Sequence, residues 1–555
     1  MAIVGGGASA LSTALQLAPL AERGIIAKPI DLYEKSCLSD AHPHEKSSVI
    51  DEHFHPGSGT IGRDVGVGIW STALKPFMRS SHPSSENGKE KPFGSHIDLI
   101  EKLEHLGQYV DKVGYRTPKG SWLTRSRLNS SGVQESASNN LDDPSLLFIQ
   151  EKDFLSTLRE AVAFEGENFG TIRTHFANSE RDKSTEVDKI VPQRGENDYI
   201  TGALQFSDQS TSSESYHFII DATGMQSTLR SKYGGFGPFV KKWKENKGAA
   251  CEYSETWQRE QLEDKHSIMD RKYVVFRGNS PLNDTEVDMK GESFQTWGEG
   301  KNMRFAAIAM SHPNEDDTDR CEKKVWFATI CDAAGVCSSK DAEERKRLLL
   351  ASFKEWHDPI CKLIESTPAE KIFMERGVGH KHSVCPVLNL SEVMDYQSRC
   401  SGRDRSIPNG HGPILLFAGD ANMAVDPVLA QGFTVNMEAA ADLASTLEAC
   451  LKNKKDGQSF DYEALRKAIS ERSKRRMVRI MCLIRSTEIV QFLAQPSSEF
   501  GINLTKYLVR PAMMLVPSFI KEIAFSSMMK YSLGYYSNFK LPESIADSNN
   551  SMKER

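Results

Sequence analysis

The chain opens on a sharp change in the pattern of hydrophobic positions. A short apolar run at residues 2–4 leads directly into Gly5, Gly6 and Gly7, and apolar residues then recur with helical spacing to about Glu22. A second apolar run at residues 29–34 ends in the acid Glu34. This order predicts a strand, a tight turn, a helix and a second strand, which is the usual start of a parallel sheet.

Two later segments repeat the pattern of an apolar run followed by a small-residue turn. Residues 218–220 are followed by Asp221 and the turn at residues 222–224, and residues 414–418 are followed by Gly419 and Asp420. After the second run, a loop that contains Pro and Gly precedes an Ala-rich helix to about Leu451. Buried strands that end in small residues favour a ligand site at the carboxyl edge of a sheet.

The remaining patterns complete a division of the chain into domains. Residues 231–395 alternate short β patterns with polar loops and include one amphipathic helix at residues 342–364, whereas residues 446–540 have helical patterns. We therefore predict an α/β fold with a first domain in two parts, 1–230 and 396–450. A mixed-sheet domain is inserted at 231–395, C-terminal helices occupy 451–540, and 541–555 form a disordered tail.

Composition excludes several classes of function. The chain has 555 residues with 39% hydrophobic and 26% charged residues, and 69 basic against 75 acidic residues give a net charge of −6. No basic excess favours nucleic acid as a partner, and no apolar run reaches the ~18 residues typical of a membrane span. The ten cysteines have no metal-type spacing. We expect a cytoplasmic protein if the N-terminus is complete, or an organellar one if a targeting peptide is missing.

The first turn matches a nucleotide-binding fingerprint. Gly5, Gly7 and Ala10 fit G-x-G-x-x-G/A between a strand and a helix, and Glu34 follows at the end of the second strand. Gly5 permits the tight turn, Gly7 permits close approach of a pyrophosphate, and Ala10 permits close packing of the helix on the strand. Glu34 is placed to accept hydrogen bonds from a ribose. The alternative is a glycine-rich turn without a ligand.

With these three segments in order, the chain resembles the group A FAD-dependent monooxygenases of the salicylate-hydroxylase and zeaxanthin-epoxidase type. Residues 5–10 match their dinucleotide fingerprint, residues 221–230 resemble the middle G-A-D-G-x-x-S-x-x-R motif, and residues 419–432 resemble the late G-D-A-x-H-x-x-x-P-x-x-G-Q-G motif. The resemblance covers roughly residues 1–535. It implies a Rossmann-like FAD-binding domain with an inserted mixed-sheet substrate domain and a helical C-terminal region.

The chain departs from these motifs at several positions. Thr223 replaces the usual Asp of the middle motif, Met423 replaces the usual His of the late motif, and Ala430 replaces its first Gly. Glu151 stands where the family has an Arg in its mid-chain helix, with Lys152 beside it. These changes weaken any expectation of ordinary hydroxylase kinetics, but they leave FAD binding as the prediction.

The resemblance also implies roles for individual residues. Asp420 is expected to accept a hydrogen bond from the ribityl chain, and the helix after Gln431 is expected to point its N-terminus at the flavin. For Asp420 the alternative is a cap of the following turn, and for the glycines it is a turn that needs a positive φ. The expected cofactor-binding residues are Gly5, Gly7, Ala10, Glu34, Arg63, Gly419, Asp420, Pro427, Gln431, Gly432 and Phe433. No catalytic side chain and no metal site is predicted, since the flavin would carry the chemistry.

The implied function is an FAD-dependent monooxygenase with noncovalent FAD, which uses NAD(P)H as cosubstrate and O₂ to hydroxylate or epoxidise an aromatic or terpenoid-like organic substrate. No second G-x-G-x-x-G is present for a dedicated NAD(P)H domain. The alternatives are another flavin oxidoreductase, such as a saturase-like reductase, and a flavin-binding protein that has lost turnover. The substrate itself cannot be read from the residues.

The C-terminal helical region leaves two interpretations open. Residues 462–485 are rich in Arg and Lys, and residues 519–536 are rich in large apolar side chains. These helices are expected to pack behind the FAD domain or over an apolar substrate tunnel. The alternative is peripheral contact with a membrane surface.

Overall fold

The computed structural model describes most of the chain. It covers residues 1–37, 63, 65–79, 96–110, 112–127, 144–177, 185–194, 200–234, 268–282, 292–298, 303–313, 320–331, 336, 339, 341–380, 386–400, 412–426, 429–452, 462–494, 496 and 498–535. Within these residues the fold is of the mixed α/β class, as the sequence predicts.

The first sheet has six strands and contains all three predicted turns. Its strands are, in chain order, Ala2–Val4 (β1), Ile30–Cys37 (β2), Ile172–Ala177 (β8), Phe218–Asp221 (β12), Val387–Asn389 (β18) and Ile414–Phe417 (β19). Their order across the sheet is β18-β19-β12-β1-β2-β8, and all pairs are parallel except β18 with β19. Because β1 lies between β12 and β2, with β19 beyond β12, the turns after β1, β12 and β19 meet at one edge.

Helices cover the first sheet. The helix Ala8–Glu22 is buried along nearly its whole length between the sheet and other helices, because small and apolar side chains occupy all of its sides. The helices Gly432–Lys452 and Glu151–Phe169 pack on this first helix. The short helices Ser71–Arg79 and His96–Leu106 complete this layer.

The second sheet has seven strands. They are Lys112–Arg116 (β5), Trp122–Arg127 (β6), Ile268–Ser280 (β13), Glu292–Trp297 (β14), Met303–Pro313 (β15), Arg320–Cys331 (β16) and Phe373–His380 (β17). Their order is β17-β13-β16-β15-β14-β5-β6, and only β14 and β5 are parallel. The sheet is therefore mixed, as expected for the inserted segment.

Strand pairing crosses the predicted domain boundaries at two places. The strands β5 and β6 fall within the range 1–230 but extend the seven-stranded sheet, and β18 falls within 231–395 but joins the six-stranded sheet. Sheet membership depends on long-range hydrogen bonding, which a local hydrophobic pattern does not encode. The single helix expected at residues 342–364 is instead two helices, Ala342–Phe353 and Ile360–Ser366, and Pro359 is the N-cap of the second.

Two small antiparallel sheets and a group of helices complete the described fold. One sheet contains Val187–Arg194 (β9), Ile200–Phe206 (β10) and Thr211–Tyr216 (β11); the other contains Gly66–Trp70 (β3), Gln108–Tyr109 (β4) and Leu146–Gln150 (β7). The remaining helical segments are Thr228–Tyr233, Ala369–Lys371, Leu390–Cys400, Asp420–Met423, Tyr462–Ala494, Glu499–Leu504, a π-helical turn Thr505–Val509, Arg510–Leu515 and Ser518–Ser532. The last of these packs on Tyr462–Ala494 and on β6.

Candidate functional site

A large cavity lies where the carboxyl edge of the six-stranded sheet faces the seven-stranded sheet. Its volume is about 510 Å³, which is within the range of sites for cofactors and small molecules. All three glycine-containing turns contribute to its wall, and so do residues of all five strands from β13 to β17. The cavity is therefore shared between the two parts of the fold that the sequence assigns to nucleotide and substrate.

The turn after β1 has the shape that the fingerprint predicts. Gly5 has φ +125°, its N–H donates to the Tyr33 carbonyl oxygen at 2.8 Å, and a Cβ at this position would lie 2.5 Å from the Ala222 carbonyl oxygen. Gly7 is the N-cap of the first helix, has no side-chain cap, and would direct a Cβ into open space. The N-terminus of this helix therefore faces the cavity, where its N–H groups and dipole favour an anion.

Of the other two residues of this motif, one packs in the core and the other lines the cavity. Ala10 is completely buried between the helix and the sheet, which is the packing role expected of it, and it does not line the cavity. Glu34 does line the cavity at the end of β2, and its carboxylate lies against Gly6, where a Cβ would be 1.8 Å from Oε2. The acid thus lies across the glycine turn.

The middle motif holds the site together. The buried Asp221 carboxylate accepts hydrogen bonds from the Thr223 N–H at 3.1 Å, from the Thr223 hydroxyl at 2.6 Å and from the Ser227 hydroxyl. Burial raises the pKa of Asp221. Arg230 donates to the carbonyl oxygens of Ala421, at 2.8 Å, and Asn422. Thr223 is therefore hydrogen-bonded within the middle turn, and Arg230 connects the middle turn to the late turn through hydrogen bonds.

Gly419 and Asp420 form the late turn. Gly419 has φ +59° and ψ −137°, and a Cβ there would lie 2.3 Å from the Ser9 hydroxyl, so only glycine fits. Asp420 lines the cavity, is partly buried, and accepts a hydrogen bond from Asn436 Nδ2 at 3.3 Å. Burial raises its pKa to about 6. A polyol that donated hydrogen bonds here would offset the cost of burying this carboxylate.

The helix Gly432–Lys452 begins at the cavity, but its flanking residues differ in orientation. Gly432 and Phe433 line the cavity, as expected. The Gln431 side chain is instead completely buried behind it, where Nε2 donates to the Ser532 hydroxyl at 3.0 Å and Oε1 accepts from Arg479 at 2.8 Å. Gln431 therefore fixes the start of this helix to the C-terminal helices. Pro427 lies outside the described residues.

Arg63 is at the cavity wall within a cluster of opposite charges. Its guanidinium is 3.2 Å from the Glu151 carboxylate and also pairs with Glu375, which in turn is 2.8 Å from Arg277. Glu151 stands where the family has an Arg, and its negative charge is balanced here by Arg63 from another part of the chain. Arg63 thus lines the cavity with two carboxylate partners, and its contact with FAD stays a prediction.

The seven-stranded sheet turns one face towards the cavity in two rows of side chains. In the first row Gln295, Ala306, Phe327 and Arg277 are register partners on β14, β15, β16 and β13. In the second row Arg304, Thr329, Val275 and Glu375 are register partners on β15, β16, β13 and β17. All eight line the cavity. Their period of two along each strand is the sequence signal that could have placed them.

Arg304, Gln295 and Arg277 each carry a buried polar atom on this face that has no hydrogen-bond partner among the described residues. Arg304 is buried, which lowers its pKa, and its closest described partner is the Thr329 hydroxyl at 3.5 Å from Nη2. Among the described residues, Arg304 Nη1 and Gln295 Oε1 have no hydrogen-bond partner. Buried polar atoms without partners are costly, so a ligand with complementary groups would stabilise this face.

The loop after the late turn is fastened to the same sheet. The Tyr273 hydroxyl donates to Asp426 Oδ1 at 2.7 Å, Arg271 Nε lies 3.6 Å from Asp426 Oδ2, and the Ala424 N–H donates to His380 Nδ1 at 3.0 Å. Burial raises the pKa of Tyr273 well above its usual value. In the described part of the chain, no group of three or more His, Cys, Asp or Glu residues could hold a metal ion.

Comparison with solved structures identifies this architecture. HpxO from Klebsiella pneumoniae, complexed with FAD and uric acid, is 14% identical with a TM-score of 0.59 over 96% of each chain. 2,6-Dihydroxypyridine-3-hydroxylase from Arthrobacter nicotinovorans is 15% identical with a TM-score of 0.51 over 90% of this chain and 93% of that one. CtdE, in complex with FAD and a substrate, is 13% identical with a TM-score of 0.50 over 96% of this chain and 97% of that one.

The chain has the group A FAD-dependent monooxygenase fold. The resemblance expected from the three motifs is thereby confirmed at the level of the fold. No protein-family model matches the chain, and no curated protein does.

Proposed function

We propose that the protein is an FAD-dependent monooxygenase that uses NAD(P)H and O₂ to hydroxylate or epoxidise an organic substrate. The observation that carries this proposal is the single cavity that joins the three glycine turns to one face of the seven-stranded sheet. A nucleotide site alone would not need the partly satisfied polar groups of that face. The neighbours of the same fold, of which HpxO and CtdE bind FAD, support the choice of cofactor.

The residues at the glycine turns fit FAD. Open space in front of Gly7 admits a pyrophosphate, and the buried Ser9 hydroxyl has no partner among the described residues. Glu34 and Asp420 would accept hydrogen bonds from the ribose and ribityl hydroxyls, while the helix that begins at Gly432 would offer N–H groups to the isoalloxazine ring. The donors and acceptors thus match the ribose, the pyrophosphate, the ribityl chain and the isoalloxazine ring of FAD.

The turn at Gly7, Glu34 and Asp420 would hold FAD, which would supply the redox chemistry between NAD(P)H and O₂, and the protein would contribute binding and orientation. Phe327, Val275 and Ala306 supply apolar contacts on the sheet side of the cavity, between its polar groups. Arg304 and Gln295 would orient a substrate that carries a hydrogen-bond acceptor close to a donor. An aromatic or terpenoid-like molecule with an oxygen substituent has this chemistry.

The decisive experiment is a screen of NADPH and NADH oxidation by the yellow purified protein against aromatic and terpenoid compounds, with O₂ uptake and product mass measured in parallel. A hit should add one oxygen atom to the compound and consume one NAD(P)H. A reduced product without O₂ uptake would favour the saturase-like reductase. Bound FAD without any NAD(P)H oxidation would favour a protein that has lost turnover.

Arg304→Met provides a test of the substrate side alone. This variant should keep its FAD content, because Arg304 is on the sheet and not on a glycine turn, while its KM for a hit with an acceptor group rises at least tenfold. Arg376→Met, which changes a cavity residue whose side chain pairs with Asp270 at 2.8 Å, is the matched control. An equal KM in wild type and Arg304→Met would remove Arg304 from the substrate site.

A further inference from the structure

The cationic side chains along the cavity wall are paired with carboxylates, with one exception. Among the described residues, the cations that line the cavity are Lys35, Arg63, Arg277, Arg304 and Arg376. The carboxylate partners are Glu186 for Lys35 at 3.7 Å, Glu151 for Arg63 at 3.2 Å, Glu375 for Arg277 at 2.8 Å and Asp270 for Arg376 at 2.8 Å. Arg304 has no carboxylate at ion-pair distance in the described part of the chain, so the sheet side of the cavity has an uncompensated positive charge there.

Arg304 is buried in the middle of the seven-stranded sheet. It lies on β15, the fourth of the seven strands across the sheet, and is 8% exposed. Its guanidinium donates to the Thr329 hydroxyl at 3.5 Å from Nη2, and Nη1 has no hydrogen-bond partner. Burial lowers the pKa of Arg304, and the Asp426 charge opposes this shift from beyond ion-pair distance. Asp426 is itself hydrogen-bonded to Tyr273 and lies beside Arg271.

A buried guanidinium of this kind favours an anionic ligand. Arginine stays protonated in proteins, so burial leaves the charge of Arg304 in place. A buried charge without a partner destabilises the fold, and a bound anion would offset that cost. The planar fork of the guanidinium also matches the two oxygens of a carboxylate. A carboxylate would therefore gain more at Arg304 than a neutral carbonyl or hydroxyl group would.

Gln295 adds a second requirement to the ligand. The register partner of Gln295 on β15 is Ala306, two residues beyond Arg304 on the same face of the sheet. Such diagonal neighbours lie roughly 7–8 Å apart, which two long side chains can bridge. Gln295 Oε1 has no hydrogen-bond partner among the described residues, so it would accept a hydrogen bond from a hydroxyl or N–H group of the ligand. A compact ligand with an acid group near such a donor would satisfy both side chains.

The opposite side of the cavity restricts an anion to this position. Glu34 and Asp420 line the cavity at the glycine turns, where their carboxylates would repel an acid. We infer that the substrate is an organic acid that Arg304 binds as its carboxylate, with a hydroxyl or N–H group of the substrate on Gln295. This inference rests on the proposed function. It narrows the substrate from any organic molecule with an oxygen substituent to an anion.

Calorimetric titration of the FAD-loaded full chain without NAD(P)H tests the inference separately from turnover. The probes are benzoate, 2-naphthoate and the terpenoid acid geranate, each compared with its primary amide, which has nearly the same shape and no charge. Arg304→Met removes the charge, and Arg304→Lys keeps it. Arg376→Met is the matched control, because Arg376 is a cavity-lining arginine that has a carboxylate partner. FAD content and thermal unfolding check the fold of each variant, and Arg304→Met should unfold no earlier than wild type because it removes an unpaired buried charge.

We expect wild type and Arg376→Met to bind at least one acid at least tenfold more tightly than its amide. Arg304→Met should lose this preference, and Arg304→Lys should keep part of it. The inference is overturned if no acid binds to wild type, if the amides bind as tightly as the acids, or if Arg304→Met keeps the preference. Loss of FAD from Arg304→Met would also overturn it, since the guanidinium would then belong to the cofactor site.

Failure of the proposed function is a separate outcome. An acid that binds through Arg304 but is never oxidised would count against the monooxygenase and leave the anion site standing. Oxidation of neutral compounds alone would support the monooxygenase and overturn the anion site.

Discussion

Replacement of Asp420 by Asn should affect the stability of the apoprotein and its affinity for FAD in opposite directions. The pKa of Asp420 is raised from 3.8 to about 6 by burial, so the folded apoprotein binds a proton more tightly than the unfolded chain does. Stability is then lost as pH rises from about 4 to 6, by about 3 kcal/mol at ~1.4 kcal/mol for each pH unit. Asn carries no charge, so the Asp420→Asn apoprotein should be more stable than wild type at pH 7 by up to that amount.

The same substitution should weaken FAD binding. A hydrogen bond from a ribityl hydroxyl to the ionised carboxylate is worth roughly 1.5–3 kcal/mol, which corresponds to roughly 10–100-fold in Kd. Because the ligand favours the ionised form, wild-type affinity should rise with pH up to about 6 and stay level above it. The affinity of Asp420→Asn should not depend on pH in this range.

Two measurements decide the matter: chemical denaturation of apoprotein at pH 4 and 7, and fluorescence titration of apoprotein with FAD between pH 5 and 8. At pH 4 the gain in stability should fall below about 1 kcal/mol, because the Asp420 carboxyl is then protonated in the folded protein and about half protonated in the unfolded chain. Asp426→Asn is the control, since Asp426 bonds to Tyr273 and Arg271 instead of lining the glycine turns. It should lower stability and leave the FAD affinity within about threefold. The reasoning fails if Asp420→Asn leaves FAD affinity and its pH dependence unchanged, or if Asp426→Asn loses FAD instead.

Further predictions concern the backbone of the glycine turns. Gly7→Val should fold, because Gly7 has φ −80° and open space for a side chain, but it should lose FAD because the valine occupies the pyrophosphate position. The control Cys37→Ser should retain FAD. Equal flavin absorbance in the two variants would remove this turn from the site. Ala430 has φ +50°, a conformation that costs a non-glycine residue ~1–2 kcal/mol. Ala430→Gly should therefore raise the free energy of unfolding of the apoprotein by about 1 kcal/mol, which would appear as a higher thermal unfolding midpoint. Ala424→Gly, at φ −77°, should lower the midpoint, and a gain in both variants would contradict the argument from backbone strain.

Three of the four departures from the family motifs have physical explanations in the structure. Thr223 donates its hydroxyl to Asp221 within the middle turn, and Glu151 is balanced by Arg63. Ala430 keeps the positive φ that favours glycine at this position of the motif.

The sequence by itself determined the strand–turn–helix units and the turn residues that they require. An apolar run followed by Gly5 or Gly419 encodes its own geometry, because the positive φ of these glycines is a local property of the backbone. It could not determine that Gln431 points towards Ser532, that Glu375 and Glu151 share Arg63, or that Arg304 and Gln295 face the cavity. These contacts join residues far apart in the chain, so they depend on strand order and register, which only the tertiary structure decided.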